Sequence, residues 1–224
     1  MKPMVLAALL SAALLAPPSA QFKTPTDWKW RTDGPAALVV EGSKTTEVAA
    51  GREWFFVAMP PGWHVTTGPG AVLYPPDYLG RGNFGVEAEV FLFPGESQEG
   101  YGVFAGGRDL EEGRAPSYLA FVARRDGRAG IFVRTAAGLT PLVDWVENDA
   151  VLPNLGGTDA VKNVLRVEVG PAEIQFSANG KPIASTPRTP HDLAGHVGFR
   201  VGARVNLHAS RLDVTYRLAP VPPK

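Results

Sequence analysis

The chain has no cysteine at any of its 224 positions. That absence excludes disulfide bonds, a thiol nucleophile, cysteine-based zinc sites and lipid attachment at an N-terminal cysteine. Whatever fold forms is held by its core alone, which a chain of this length can supply. An excess of either charge is also missing: 22 Lys and Arg stand against 22 Asp and Glu. With no basic field to attract phosphates, no nucleic-acid partner is expected. There is no Gly-x-Ser-x-Gly elbow and no Walker-type phosphate loop. His64, His191, His196 and His208 show no close metal-ligand spacing, so no metal site is read from them.

One long apolar run is present, Met4 to Ala16, preceded by Lys2 and followed by Pro17-Pro18-Ser19-Ala20. Charge, length and small-residue ending are those of a secretory signal peptide, with cleavage expected after Ala20. The alternative, an uncleaved anchor, would need about 20 apolar residues to span a bilayer, and the run is shorter. An exported protein, periplasmic or extracellular, with no stable membrane insertion after cleavage is the expectation. The 25 glycines and 21 prolines are spread along the chain, as many tight turns between short strands require.

The segment from Phe84 to Arg134 carries the fold signal. It reads FGVEAEVFLF, GYGVFAGGRDL and SYLAFVARRDGRAGIFVR, with no helix-period segment between. Val86, Ala88, Val90 and Leu92 alternate with Glu87 and Glu89. The glycines of Tyr101 to Gly107 predict a bulge, a bend or a close approach by another group. Tyr118 to Arg125 and Arg128 to Arg134 read as a hairpin across Asp126-Gly127, suited to a type I′ turn.

Before this block, Gln21 to Pro35 reads as an extended lead-in whose Trp28 and Trp30 cover one end of the fold. Strands are expected at Ala36 to Glu41, at Glu53 to Met59 and on either side of Gly68-Pro69-Gly70. After it come Leu139 to Glu147, a loop from Asn148 to Lys162, Asn163 to Gly170, and a hairpin across Asn179-Gly180 whose return strand Pro182 marks as an edge. Gly195 to Gly202 and Leu212 to Leu218 are the last strands, and 219–224 reads as a flexible tail. The result is an all-β fold: one β-sandwich domain over 36–218.

The order GVEAEVFLF, GYGVFAGGRD, SYLAFVARRDG, NVLRVEV, EIQFSANGKPIA, GHVGFRV and LDVTY resembles the concanavalin A-like lectin/glucanase superfamily. It is most similar to laminin-G-like domains and to bacterial 3-keto-disaccharide hydrolase-like domains, over roughly Trp63 to Tyr216. The phrase around Asn179-Gly180 and the apolar-flanked Gly198 carry the resemblance. It implies a jelly-roll sandwich of two antiparallel sheets whose members bind or cleave glycans, so an oligosaccharide or polysaccharide is the implied partner.

Three readings of the chemistry follow. In a glycoside hydrolase, Glu87 and Glu89 would act together: their carbons lie ~7 Å apart by the strand rise, and retaining enzymes hold their carboxyl groups about 5 Å apart. Related glucanases add a third acidic residue on that strand face, where this chain has Phe91 and Phe93. The alternative is a solvated pair, matched by Arg124 or Arg200 across the sheet. In a non-catalytic glycan-recognition protein, Trp63, Tyr74, Tyr78 or Tyr101 would stack on a sugar ring, while Trp54 and Trp145 sit in apolar runs and read as core. The Gly106-Gly107-Arg108-Asp109 loop would then offer donors and a carboxylate to a sugar hydroxyl or to calcium, unless it is simply a turn. The third reading is an envelope protein-interaction module without a sugar site, its protein partner unknown.

Overall fold

The computed structural model describes residues 23–38 and 53–217. The leader over 1–20, the end of the strand expected over 36–41 and the tail over 219–224 lie outside the described residues. Among the described residues every regular element is a β-strand. In chain order these begin with Lys29–Thr32 (β1), Ala37–Leu38 (β2), Glu53–Ala58 (β3), Trp63–Thr66 (β4), Ala71–Tyr74 (β5) and Leu79–Gly80 (β6). The central block follows as Asn83–Leu92 (β7), Tyr101–Arg108 (β8), Ser117–Ala123 (β9) and Arg128–Thr135 (β10). The remainder is Gly138–Glu147 (β11), Val161–Val169 (β12), Glu173–Ala178 (β13), Lys181–Pro187 (β14), Gly195–Val201 (β15) and Asn206–Arg217 (β16).

These strands form two sheets. The first runs β1-β5-β15-β8-β9-β10-β11, with β6 beside β15; the second runs β14-β13-β12-β7-β16-β4-β3-β2. Pairings are antiparallel except the short β2–β3 contact at one edge. Period-two alternation explains why the sheets stack. Val86, Ala88, Val90 and Leu92 of β7 face Val103, Phe121, Ile131 and Phe199 of the first sheet in one buried core. Pro182 lies in β14, the outermost strand of the second sheet, where no neighbour needs its missing N–H.

Three local expectations change. Residues Lys29–Thr32 pair with β5 as a true strand, and Trp28 beside them is buried against Phe56 and Phe199. The last strand starts at Asn206 rather than Leu212. The Asp126-Gly127 turn is not type I′. Gly127 has φ 84° but Asp126 has no positive φ, and Arg124 N–H donates to Arg128 C=O (2.8 Å) while Gly127 N–H donates to Arg124 C=O (3.2 Å). This is a three-residue loop with its glycine in the left-handed region. Asn179 (φ 51°) and Gly180 (φ 78°) do form the two-residue I′ turn, between the paired Ala178 and Lys181.

A polar network inside the sandwich joins segments far apart in sequence. Asn163, fully buried, donates through Nδ2 to Tyr101 Oη (3.0 Å) and Leu152 C=O (3.0 Å). Its Oδ1 accepts from Leu152 N–H (2.9 Å) and Asn179 Nδ2 (2.8 Å). Asn179 in turn donates to Ala150 C=O (2.8 Å) and accepts from Val164 N–H (2.8 Å). The Asn148 to Lys162 loop is therefore docked, with Ala150, Val151 and Asn154 buried. Replacing Asn163 by Ala strands several buried polar groups at once, each costing about 1–3 kcal/mol. Urea unfolding of Asn163→Ala is expected to show a loss of at least about 3 kcal/mol; a loss under about 1 kcal/mol would mean the network does not hold the fold.

Candidate functional site

The two outer faces of the sandwich differ in kind. On the second sheet, Glu87 and Glu89 do share the outward face of β7, as their spacing predicts. Their partners are not Arg124 or Arg200, which belong to the first-sheet side of the molecule. Glu87 lies between Arg166 (3.4 Å) and Arg211 (2.6 Å), the latter also bound to Asp213 (3.2 Å). Glu89 accepts from Ser210 Oγ (2.7 Å) and pairs with Lys162 (3.3 Å). Glu168 extends the lattice by pairing with Arg166 and Arg217. The Ser210 hydroxyl, helped by Lys162 and Arg211, holds the Glu89 carboxyl below the usual carboxylate range. A glycosidic general acid needs its pKa raised, so the surroundings of Glu89 suit a fixed counter-ion. Phe91 stays on this face, beside His208 (ring centroids 6.3 Å).

The first sheet carries a second apolar layer on its outer face, made by Val72, Tyr74, Phe104, Leu110, Tyr118, Ala120, Val122 and Phe132, with Trp145 half-buried against them. Trp145 was expected in the core. Register shifts where β10 pairs with β11 break simple alternation, and the indole lies on the outside. The room beneath it is glycine: a Cβ on Gly100 would come within 2.8 Å of the indole Cη2, and one on Gly130 within 3.1 Å of its Cε3. In the glycine-rich strand β8 itself, the expected bulge is present as a register shift between Ala105 and Arg108 where it pairs with β9. Arg124 lies over the indole (4.9 Å to the ring centroid), oriented by Asp126 (2.8 Å).

Beside Trp145 is a groove of about 150 Å³, walled by Val122, Phe132, Leu139 and Trp145 and edged by Glu99 and Arg200. Arg200 is held in a bidentate pair with Asp33 (3.1 and 2.5 Å). The Glu99 carboxylate has no hydrogen-bond or ion-pair partner among the described residues. A roomier cleft, about 520 Å³, lies at the sheet edge between Trp30, Thr32 and Trp54. Its Arg31 already donates to the carbonyls of Asp109 (3.2 Å) and Glu111 (2.7 Å).

The sequence-expected residues thus divide. Arg124 and Arg200 belong to the outer face of the first sheet. Tyr74 belongs there too, but it is buried at 2% exposure against His196 (4.8 Å) and is no platform. Tyr101 is wholly buried inside the sandwich, its phenol pushed up to about 12 by burial. Its flanking glycines suggested a surface turn, whereas its real partner is 62 residues away. Trp63 packs on Trp28 (4.7 Å) in the core. Tyr78 is exposed at 38%, away from the groove, in the loop before β6. Arg108 pairs with Asp192, and Asp109 (φ 52°) pairs with Arg114 at 3.4 Å. Among the described residues, no three His, Asp or Glu side chains gather as metal ligands.

Comparison with solved structures gives matches of fold. The carbohydrate-binding module CBM66 from Bacillus subtilis matches with TM-score 0.58 and 8% identity, over 81% of this chain and 100% of that one. A protein of unknown function with a galectin-like fold, also from Bacillus subtilis, gives 0.54 and 12% over 84% and 89%. A glycoside hydrolase family 16 endo-glucanase from Bacteroides ovatus gives 0.53 and 8% over 84% and 94%. No protein-family model matches the chain, and no curated protein matches its sequence. The chain has the concanavalin A-like lectin/glucanase fold, all-β with two antiparallel sheets.

The histidines give a pH dependence. His64 and His208 face each other across β4 and β16. Burial, then the charge of His208, lowers the His64 pKa from 6.5 to about 4, against a smaller upward pull from Asn206. The unfolded chain takes up this proton near pH 6.5 and the folded chain only near 4. Stability from this residue is complete above 6.5 and falls as pH drops toward 4, by on the order of 3 kcal/mol. Urea midpoints at pH 7 and 4.5 should show His64→Phe losing less stability than the wild type; equal losses would assign the acid sensitivity elsewhere.

Proposed function

We propose that this protein recognises carbohydrate without cleaving it, in the groove beside Trp145 on the outer face of the first sheet. The observation that carries the reading is the meeting of a fixed indole with the unpaired carboxylate of Glu99 and the oriented guanidinium groups of Arg124 and Arg200. A pyranose needs this combination, because its C–H face is apolar and its rim of hydroxyls requires donors and acceptors. A volume of about 150 Å³ is small for a pocket, and fits one ring of a longer chain that continues along the sheet. The site stands on strands and on a buried glycine floor, so little ordering is required on binding. The fold supports the reading, being shared with a carbohydrate-binding module. With the leader expected over 1–20, the ligand would be met outside the cytoplasm.

The hydrolase reading has less support, since Glu87 and Glu89 sit in an ion-pair lattice on the opposite sheet. A thermal-shift screen against oligosaccharides, with and without calcium, followed by titration calorimetry, tests the proposal. The wild type should bind a member of the panel without turnover. Trp145→Ala should weaken that binding about tenfold or more, while Glu87→Gln leaves it unchanged. A panel that produces no shift, or a Trp145→Ala protein that melts normally and binds as well as the wild type, would overturn it.

A further inference from the structure

Most arginines around the first sheet have a partner among the described residues. Arg31 donates to two carbonyls, Arg108 to Asp192, Arg124 to Asp126, and Arg200 to Asp33. Arg128 lies 3.8 Å from Asp126, and Arg125 donates to the carbonyls of Phe93, Ser97 and Asn154. Arg134, the cross-strand neighbour of Tyr118 on β10, has none. Its guanidinium makes no hydrogen bond and no ion pair among the described residues, and its Nε is buried without a partner. A buried N–H left unmatched costs free energy, and a guanidinium in that state is a prepared donor for a carboxylate or sulfate, which it binds in bidentate geometry.

The surroundings of Arg134 form a cleft of about 260 Å³, with Tyr118, Ser117, Arg108, His191 and Asp192 on its walls. Tyr118 is the cross-strand neighbour of Arg134, and its hydroxyl makes no hydrogen bond among the described residues. Arg200, Arg134 and Arg31 all lie within electrostatic reach of that phenol, against one opposing carboxylate, Asp33. Asp192 does not cancel the excess, because it is paired with Arg108 and accepts from Ala194 N–H at 3.1 Å. The cleft and the Trp145 groove share no wall residue, but β9 links them. Val122, under the groove, and Tyr118, at the cleft, share one face of β9, and their separation is about 13 Å by the strand rise. That is the length of a short oligosaccharide, not of one ring.

We propose that the ligand of this face is an acidic oligosaccharide, one unit against Trp145 and a carboxylate-bearing unit at Arg134 and Tyr118. This rests on the glycan reading above and adds the charge of the ligand and its direction along β9. The probes are oligouronates of three to six units, each with its carboxyl-reduced neutral counterpart, titrated calorimetrically into wild type, Arg134→Gln and Trp145→Ala.

The wild type should prefer an acidic form about tenfold or more over its reduced partner, with the preference shrinking as salt is raised. Arg134→Gln should bind both forms alike, at the affinity of the neutral one. If acidic and neutral forms bind the wild type equally, or Arg134→Gln keeps the preference, the acidic-ligand inference fails while the glycan reading stands. If an acidic form binds and Trp145→Ala leaves that unchanged, the groove reading fails and the Arg134 site survives as an anion site alone. If neither form of any oligouronate binds, while neutral glycans bind in a Trp145-dependent way, the inference is again overturned. Binding of no glycan of either kind overturns both.

Discussion

Asn163 has no exposure to water, so its side-chain amide must satisfy two donors and two acceptor positions within the protein. It does so on four groups from three other segments: Tyr101 at the start of β8, both polar atoms of Leu152, and Asn179 in the β13–β14 turn. In a chain without disulfides this is the closest thing to a cross-link. The bond to Tyr101 joins a strand of one sheet to a strand of the other, and the bonds to Leu152 seat the long loop that closes this end of the sandwich. Low polarity around such a network makes each bond stronger and each missing partner more costly.

The same end of the molecule depends on two adjacent arginines with opposite duties. Arg125 turns inward and donates to the carbonyls of Phe93, Ser97 and Asn154. It thereby fixes the segment that presents Glu99 and the loop held by Asn163. Arg124 turns outward, where it is braced by Asp126 and covers the indole of Trp145. The three-residue loop after β9 makes this division possible, since Arg124 still bonds to Arg128 across the hairpin while Arg125 is the first residue of the loop, which reverses at Gly127. The rim of the groove is thus positioned by backbone carbonyls on one side and by a salt bridge on the other.

How far this could be read from sequence depends on the range of the interaction concerned. Alternation along β7 and the Asn179-Gly180 turn are local, and both were legible, as was the all-β sandwich. The turn at Asp126-Gly127 was recognisable as a turn, but its type follows from register, which neighbouring strands decide. Tyr101 looked accessible because glycines flank it; its burial comes from Asn163 and the opposing sheet. Glu87 and Glu89 could be placed on one face, yet the partners of Glu87, Arg166 and Arg211, and those of Glu89, Lys162 and Ser210, come from β12 and β16, which only the sheet order reveals. Trp145 misled for a different reason: irregular pairing of β10 with β11 shifts the alternation that assigns it a side. Arg134 and Tyr118 carry no motif, and their significance lies in what fails to pair with one of them.

The position of β7 also says something about timing. It is the middle strand of the second sheet, and its two neighbours are β12 and β16. One of them ends at Arg217, more than a hundred residues later in synthesis. Until that strand arrives, the centre of the sheet presents an open edge of ladder groups, the type of edge that pairs with other chains. Contacts of such sequence separation also make folding slow. Assembly of this sandwich consequently waits for β16, and the growing chain has to be kept from its neighbours until that strand is in place.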